Sequence, residues 1–156
     1  LHENYTKDEA EMLIKEMNDD LSTRLRNHKL KASTVSIGIG YDYDDKEGGF
    51  SHSIKLNFPT DDSEIFLKEF LRIFRKYIGH HFTRRIYISY GGLTKTDYDQ
   101  LSLFEDENDS KERKELQKTI DNIKNKFGDN SVLRTSSLLK KSTAKERHNQ
   151  IGGHKK

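Results

Sequence analysis

The chain has 156 residues, 31% hydrophobic and 35% charged, which suffices for one domain with polar appendages but not for two full cores. It has no cysteine, excluding a disulfide framework or thiolate metal site, and its apolar runs fall far short of the ~20 residues of a membrane span. The net charge of +2 conceals three regimes: 15 basic and 15 acidic side chains in residues 1–95, six acidic and no basic ones in 97–109, and seven basic against one acidic in 131–156. A neutral body, an acidic bridge and a basic end imply different partners for different segments. With no basic-then-apolar leader in LHENYTKDEAEM, the expectation is a soluble, cytoplasmic chain with no membrane partner.

Residues 6–28 carry Ala10, Leu13, Ile14, Met17, Leu21 and Leu25 at the spacing of one helical face, and Thr6 with Glu9 makes a capping box. In STVSIGIGYDY, Val35, Ile37, Ile39, Tyr41 and Tyr43 alternate with small or polar residues, the period of a strand. GGFSHSIKLNF repeats the alternation with Phe50, Ile54, Leu56 and Phe58, and DDKEGG between them reads as a hairpin turn. Asp61 and Glu64 then form a second capping box for a helix with Ile65, Phe66, Phe70, Leu71, Phe74 and Ile78 on its apolar face, closed by Gly79. RRIYISYGG is a third strand with Ile86, Ile88 and Tyr90 inward. Residues 1–95 thus predict an α+β domain in which an antiparallel sheet of three strands is covered on one face by two helices. One strand ahead of the first helix would complete β-α-β-β-α-β. Leu1–Tyr5 is too short to supply it, so the expectation is a chain that begins inside a larger protein. The vacant sheet edge would pair with another chain or with the tail, or leave the chain only marginally stable. Residues 96–109 read as an acidic linker and 110–128 as a helix, with Asp109 and Glu112 as its capping box and Leu116, Ile120, Ile123 and Phe127 as a narrow stripe. Residues 129–156 read as a basic, flexible tail.

The strands' other face collects Ser36, Gly38 and Gly40, then Ser51, Ser53, Lys55 and Asn57, then Arg85, Tyr87 and Ser89. Two readings are open. So little bulk would let a phosphate reach backbone N–H groups and serine hydroxyls, contacts that position a protein on DNA without reading its sequence. An ordinary solvated sheet face needs no function, although glycines inside strands often mark a close approach. Elsewhere the signals are weaker. YDYDD (41–45) resembles a metal cluster but falls in a turn and fails the EF-hand spacing, with Lys46 and Glu47 where a ligand and a glycine belong. His80-His81 follows a helix C-terminus without zinc spacing, and Gly152-Gly153 lacks the strand and helix that frame a phosphate loop.

Inside the acidic bridge lies Gln100-Leu101-Ser102-Leu103-Phe104, which resembles the clamp-binding pentapeptide of bacterial replication and repair proteins. The resemblance implies docking on the ring-shaped sliding clamp, with Gln100 at the pocket's edge and Leu101, Leu103 and Phe104 as apolar contacts. Burying three such side chains stabilises by roughly 5–9 kcal/mol gross, and ordering the segment removes several of these, leaving a weak reversible tether. Alternatively, Leu101 and Phe104 staple a short turn to their own domain.

With that motif placed, VSIGIGYDY, GFSHSIKL, RRIYISYGGL, QLSLF, IDNIKNKFGDNSVLRTSSLL and IGGHKK together resemble the C-terminal half of a bacterial Y-family translesion DNA polymerase of the UmuC/DinB superfamily, UV-damage-repair branch. The resemblance implies that residues 1–95 are a little finger domain lacking its first strand, whose outward face meets template-primer DNA. It implies DNA repair and damage tolerance in the SOS response. Nucleotide transfer would need Mg²⁺ held by palm carboxylates that this chain lacks, so no cofactor is expected here and the chain alone should be inactive. Lys140, Lys141, Lys145, Arg147, Lys155 and Lys156 offer either a further electrostatic DNA contact or a plain solvated tail. The rival readings are a free-standing α+β regulatory or ligand-binding module, and a single-strand RNA-binding module. The second is disfavoured because only Tyr87 is available to stack a base.

Overall fold

The computed structural model describes residues 1, 3–95, 107–151 and 154–155, which fall into two compact units divided after Lys95. In the first, helix α1 (Lys7–Asn27) is followed by strands β1 (Leu30–Tyr41) and β2 (Gly49–Thr60), helix α2 (Ser63–Tyr77) and strand β3 (Thr83–Gly91). A two-residue strand, β4 (Thr94–Lys95), follows. The fold is α+β and little-finger-like, with sheet order β2-β1-β3 and every pairing antiparallel. The strand β4 was not anticipated. It pairs with the start of β1 because Gly92 (φ 60°) turns the chain where a Cβ would lie 2.1 Å from Ser33 Oγ.

Local sequence explains most boundaries. The Thr6–Glu9 capping box forms as expected, and Gly79 (φ 55°) follows the last turn of α2. The cap of α2 is Asp62, not Asp61. Asp62 Oδ1 accepts the Glu64 amide at 2.9 Å, while the Asp61 carbonyl is taken by Arg26 Nη1 at 3.1 Å. Pro59 is accommodated because it falls on an edge strand where the β1–β2 register breaks between Thr34↔Lys55 and Ala32↔Thr60.

Beneath the sheet, Phe66, Phe70 and Phe74 of α2 pack with Leu13 and Ile14 of α1 and with Val35, Ile37 and Ile39 of β1, all buried. The face that α1 buries differs from the expected one: Met17 and Leu21 are only half-buried, while Asn18 and Ser22 are fully buried. The i, i+4 row running from Ala10 through Ile14 continues to those two residues. Asn18 is tolerated there because it is satisfied, accepting from Tyr90 Oη at 2.7 Å and donating to the Ser63 carbonyl at 3.0 Å. One amide therefore ties α1 to β3 and to the start of α2. Burial pushes the Tyr90 phenol far up, so it stays a donor. Across the two helices, Arg75 grips the Glu11 carboxylate with two bonds of 2.8 and 2.7 Å and, despite partial burial, holds its pKa below the ordinary value.

At the outer edge of β3, Tyr5 and Thr83 exchange two backbone bonds of 2.9 Å. Beyond that bridge, no strand among the described residues pairs with this edge.

The second unit contains helix α3 (Glu107–Phe127), two 3₁₀ turns (Asp129–Ser131 and Thr135–Leu138), helix α4 (Ala144–His148) and the small hairpin of β5 (Gln150–Ile151) and β6 (His154–Lys155). Helix α3 starts at Glu107, upstream of the expected boundary, so Asp109 lies in its first turn instead of capping it. Leu116, Ile123 and Phe127 of the expected apolar stripe stay largely exposed.

Candidate nucleic-acid interface

Register brings the outward residues of the three long strands into rungs. Ser53, Ser36 and Ser89 form one; Ser51, Gly38 and Tyr87 the next; Gly49, Gly40 and Arg85 the third. A shallow trough runs along β1 between the flanking strands, lined by Ser36, Gly38, Gly40, Ser51, Arg85, Tyr87 and Ser89. Its floor is low because Gly38 and Gly40 present no side chain, and one wall rises at Tyr87, 63% exposed. The Ser36 and Ser53 hydroxyls are hydrogen-bonded at 2.7 Å. Lys55 and Asn57 continue along the exposed face of β2, outside the trough.

Backbone N–H groups do not serve as donors on the floor. From residue 34 to 40, β1 is paired on both sides, so its amides are committed to the two ladders. The donors left for an anion are hydroxyls and the arginine. Periodicity could show that β1 alternates, but not that it is the central strand.

One further departure lies at the β1–β2 turn. Tyr43, expected as an inward strand residue, lies beyond the end of β1 and is 71% exposed. Two of the three YDYDD carboxylates shape the turn: Asp42 Oδ1 accepts the Tyr43 amide at 2.7 Å, and Asp45 Oδ1 accepts the Glu47 amide at 3.0 Å. Asp45 Oδ2 meets His81 Nδ1 at 2.6 Å, and Glu47 Oε2 lies 3.2 Å from His81 Nε2. His81, stacked on Tyr41 at 4.1 Å between ring centroids, thus anchors the turn to the segment that enters β3. Nothing in the spacing of residues 45 and 81 announces this contact.

The Glu47 amide and then His81 hold the Asp45 carboxyl below its ordinary pKa. A carboxyl depressed in the folded state stabilises the fold above its unfolded pKa and loses that contribution as the pH falls through the folded value, here below about pH 4. Asp45→Asn should therefore flatten the acid limb of melting temperature against pH. An acid limb identical to that of the unmodified chain would show that this carboxylate does not anchor the turn.

The remaining expected site, Gln100–Phe104, lies outside the described residues. No helix among the described residues is long and apolar enough to cross a membrane.

Comparison with known proteins gives these features a context. Residues 1–103 match the profile of the impB/mucB/samB family C-terminal domain. The chain is 31% identical over 152 residues to a putative UV-damage repair protein, UvrX, of Bacillus subtilis strain 168, an alignment covering 97% of this chain and 36% of that protein. It is 31% identical over 156 residues to DNA polymerase IV 2 of the same organism, covering 99% and 37%. It is 28% identical over 155 residues to DNA polymerase IV 2 of Halalkalibacterium halodurans, covering 99% and 37%. The chain thus spans a little over a third of the length of these curated relatives. The match over residues 1–103, about two thirds of the chain, places this chain in the impB/mucB/samB family, with those residues as the family's C-terminal domain.

Proposed function

We propose that this chain is the DNA-holding and clamp-tethering region of a translesion DNA polymerase acting in DNA repair. The observation that carries the reading is the trough itself, a glycine floor between serine hydroxyls and Arg85 on the outer face of a domain whose relatives are named as repair proteins and DNA polymerases. Ser36, Ser51, Ser53, Lys55, Arg85, Tyr87 and Ser89 would contact phosphates and sugars, which places the protein on a duplex without sequence preference. Gln100, Leu101, Ser102, Leu103 and Phe104 would dock on the bacterial sliding clamp and raise the local concentration of the DNA-holding domain. The open edge of β3 suits an antiparallel strand from another segment or chain. Mg²⁺-dependent nucleotide transfer would belong to other parts of a longer polymerase.

The test has two arms. Anisotropy of a fluorescently labelled primer–template duplex should show affinity falling roughly 10- to 40-fold between 50 and 200 mM salt, as two or three phosphate contacts require. A flat salt response would remove the phosphate reading. In the second arm, the chain should be retained on an immobilised bacterial sliding clamp and lost on Leu103→Ala plus Phe104→Ala. Equal retention of both versions would remove the tether.

A further inference from the structure

We infer that Tyr43 is a positioning residue for DNA binding: it holds Arg85, with Arg84 beside it, at the rim of the trough while leaving their charge free. The inference rests on the proposed DNA-binding role of the sheet face.

Three observations converge on this. The first is the register between β1 and β3, which runs Gly40↔Arg85 and then Tyr41↔Thr83. Arg84 is therefore an extra residue on β3, a bulge of the kind that re-aims side chains. Strict alternation would send Arg84 and Arg85 to opposite faces. Instead both guanidinium carbons lie near one ring, 5.4 and 5.5 Å from the centroid of Tyr43.

The second is Gly40. A Cβ at that position would stand 3.1 Å from Arg85 Cβ and 3.4 Å from its Nε, so the arginine lies across the strand over the glycine. Gly40 provides the berth, and Tyr43 faces its far end.

The third is what the arginines lack. Neither makes an ion pair among the described residues, and Arg84 Nε is buried without an acceptor. A carboxylate in place of Tyr43 would orient the guanidinium groups but compete with phosphate for them. An aromatic face orients a cation through its quadrupole and leaves the net charge and outward N–H donors available. Such a pre-oriented arginine loses less side-chain entropy when it meets an anion.

The experiment measures binding of a labelled primer–template duplex at low salt by the full chain and its variants. Tyr43→Leu, which keeps bulk but removes the ring, should weaken binding about threefold, as an exposed cation–π contact allows. Tyr43→Phe should stay within about twofold of the unmodified chain, because the ring face is retained. On the Arg84→Ala plus Arg85→Ala background, Tyr43→Leu should have no further effect. Unchanged affinity of Tyr43→Leu while Arg85→Ala weakens binding would overturn the positioning role alone. A full loss persisting on the double-alanine background would also overturn it, by showing that Tyr43 acts on DNA itself. If Arg85→Ala leaves affinity unchanged, the DNA-binding role of the face fails, and the role of Tyr43 with it.

Discussion

A glutamate at position 38 should leave the fold intact and remove most of the affinity for DNA. Gly38 lies in the middle of the central strand, and a Cβ there would meet Tyr87 Cβ at 3.7 Å and Ser51 Oγ at 3.8 Å, ordinary van der Waals distances. Its backbone is not in the left-handed region, so a side chain brings no strain, and removing a strand glycine lowers the entropy cost of folding. Glycine is thus not required at position 38 for folding, and an open floor in the trough explains its presence. A carboxylate set there about 4 Å from a phosphate repels it by about 1 kcal/mol in a water-like medium and about 4 kcal/mol at an effective dielectric of 20. Loss of affinity by at least about tenfold at low salt follows from the middle of that range, with an unchanged or slightly raised melting temperature. Gly38→Ala, adding bulk without charge, should lie between. Gly49 offers a contrast: with φ 141° and a Cβ that would fall 2.0 Å from the Ile39 carbonyl oxygen, its alanine variant should fail on stability instead. Undiminished binding of Gly38→Glu at 50 mM salt would show that DNA does not follow the trough.

The largest loss of stability should come from Phe70→Ala. Phe70 is fully buried on α2, within the cluster that joins both helices to the sheet, and its ring lies 6.0 Å from that of Tyr90 in a near-parallel arrangement. Deleting such a ring costs about 3–5 kcal/mol from lost transfer energy and the cavity left behind. Domains of this size have roughly 5–15 kcal/mol in total, so much of the margin would go. With a urea dependence of ~1–3 kcal/mol per molar, the unfolding midpoint should drop by at least about 1 M. Phe82, half exposed just before β3, serves as the control, and its alanine variant should stay within about 0.5 kcal/mol. A Phe70→Ala loss below about 1 kcal/mol would mean that the three-phenylalanine layer is not the stabilising core.

Sequence periodicity carried the secondary structure because burial on one face imposes a period of two on strands and near four on helices. Val35, Ile37 and Ile39 were legible as core for that reason, as were Phe66, Phe70 and Phe74. So was the set of outward residues, since alternation assigns the opposite face along with the buried one. Errors fell at element ends, where one hydrogen bond decides between neighbours, as at Asp61 and Asp62. They also fell where a buried polar residue was satisfied by a distant partner, as Asn18 is by Tyr90.

By itself, the amino-acid sequence determined the α+β class, the small polar outer face and the family, all of which depend on residue type and local spacing. Tertiary structure alone decided that β1 is central, so that its amides are consumed and Gly38 and Gly40 become a floor. It alone set a bulge at Arg84, which turns two adjacent arginines toward one tyrosine. It alone closed His81 onto Asp45, 36 residues away. These features are pairings between distant segments. Their energies depend on strand order and register, which no local pattern encodes.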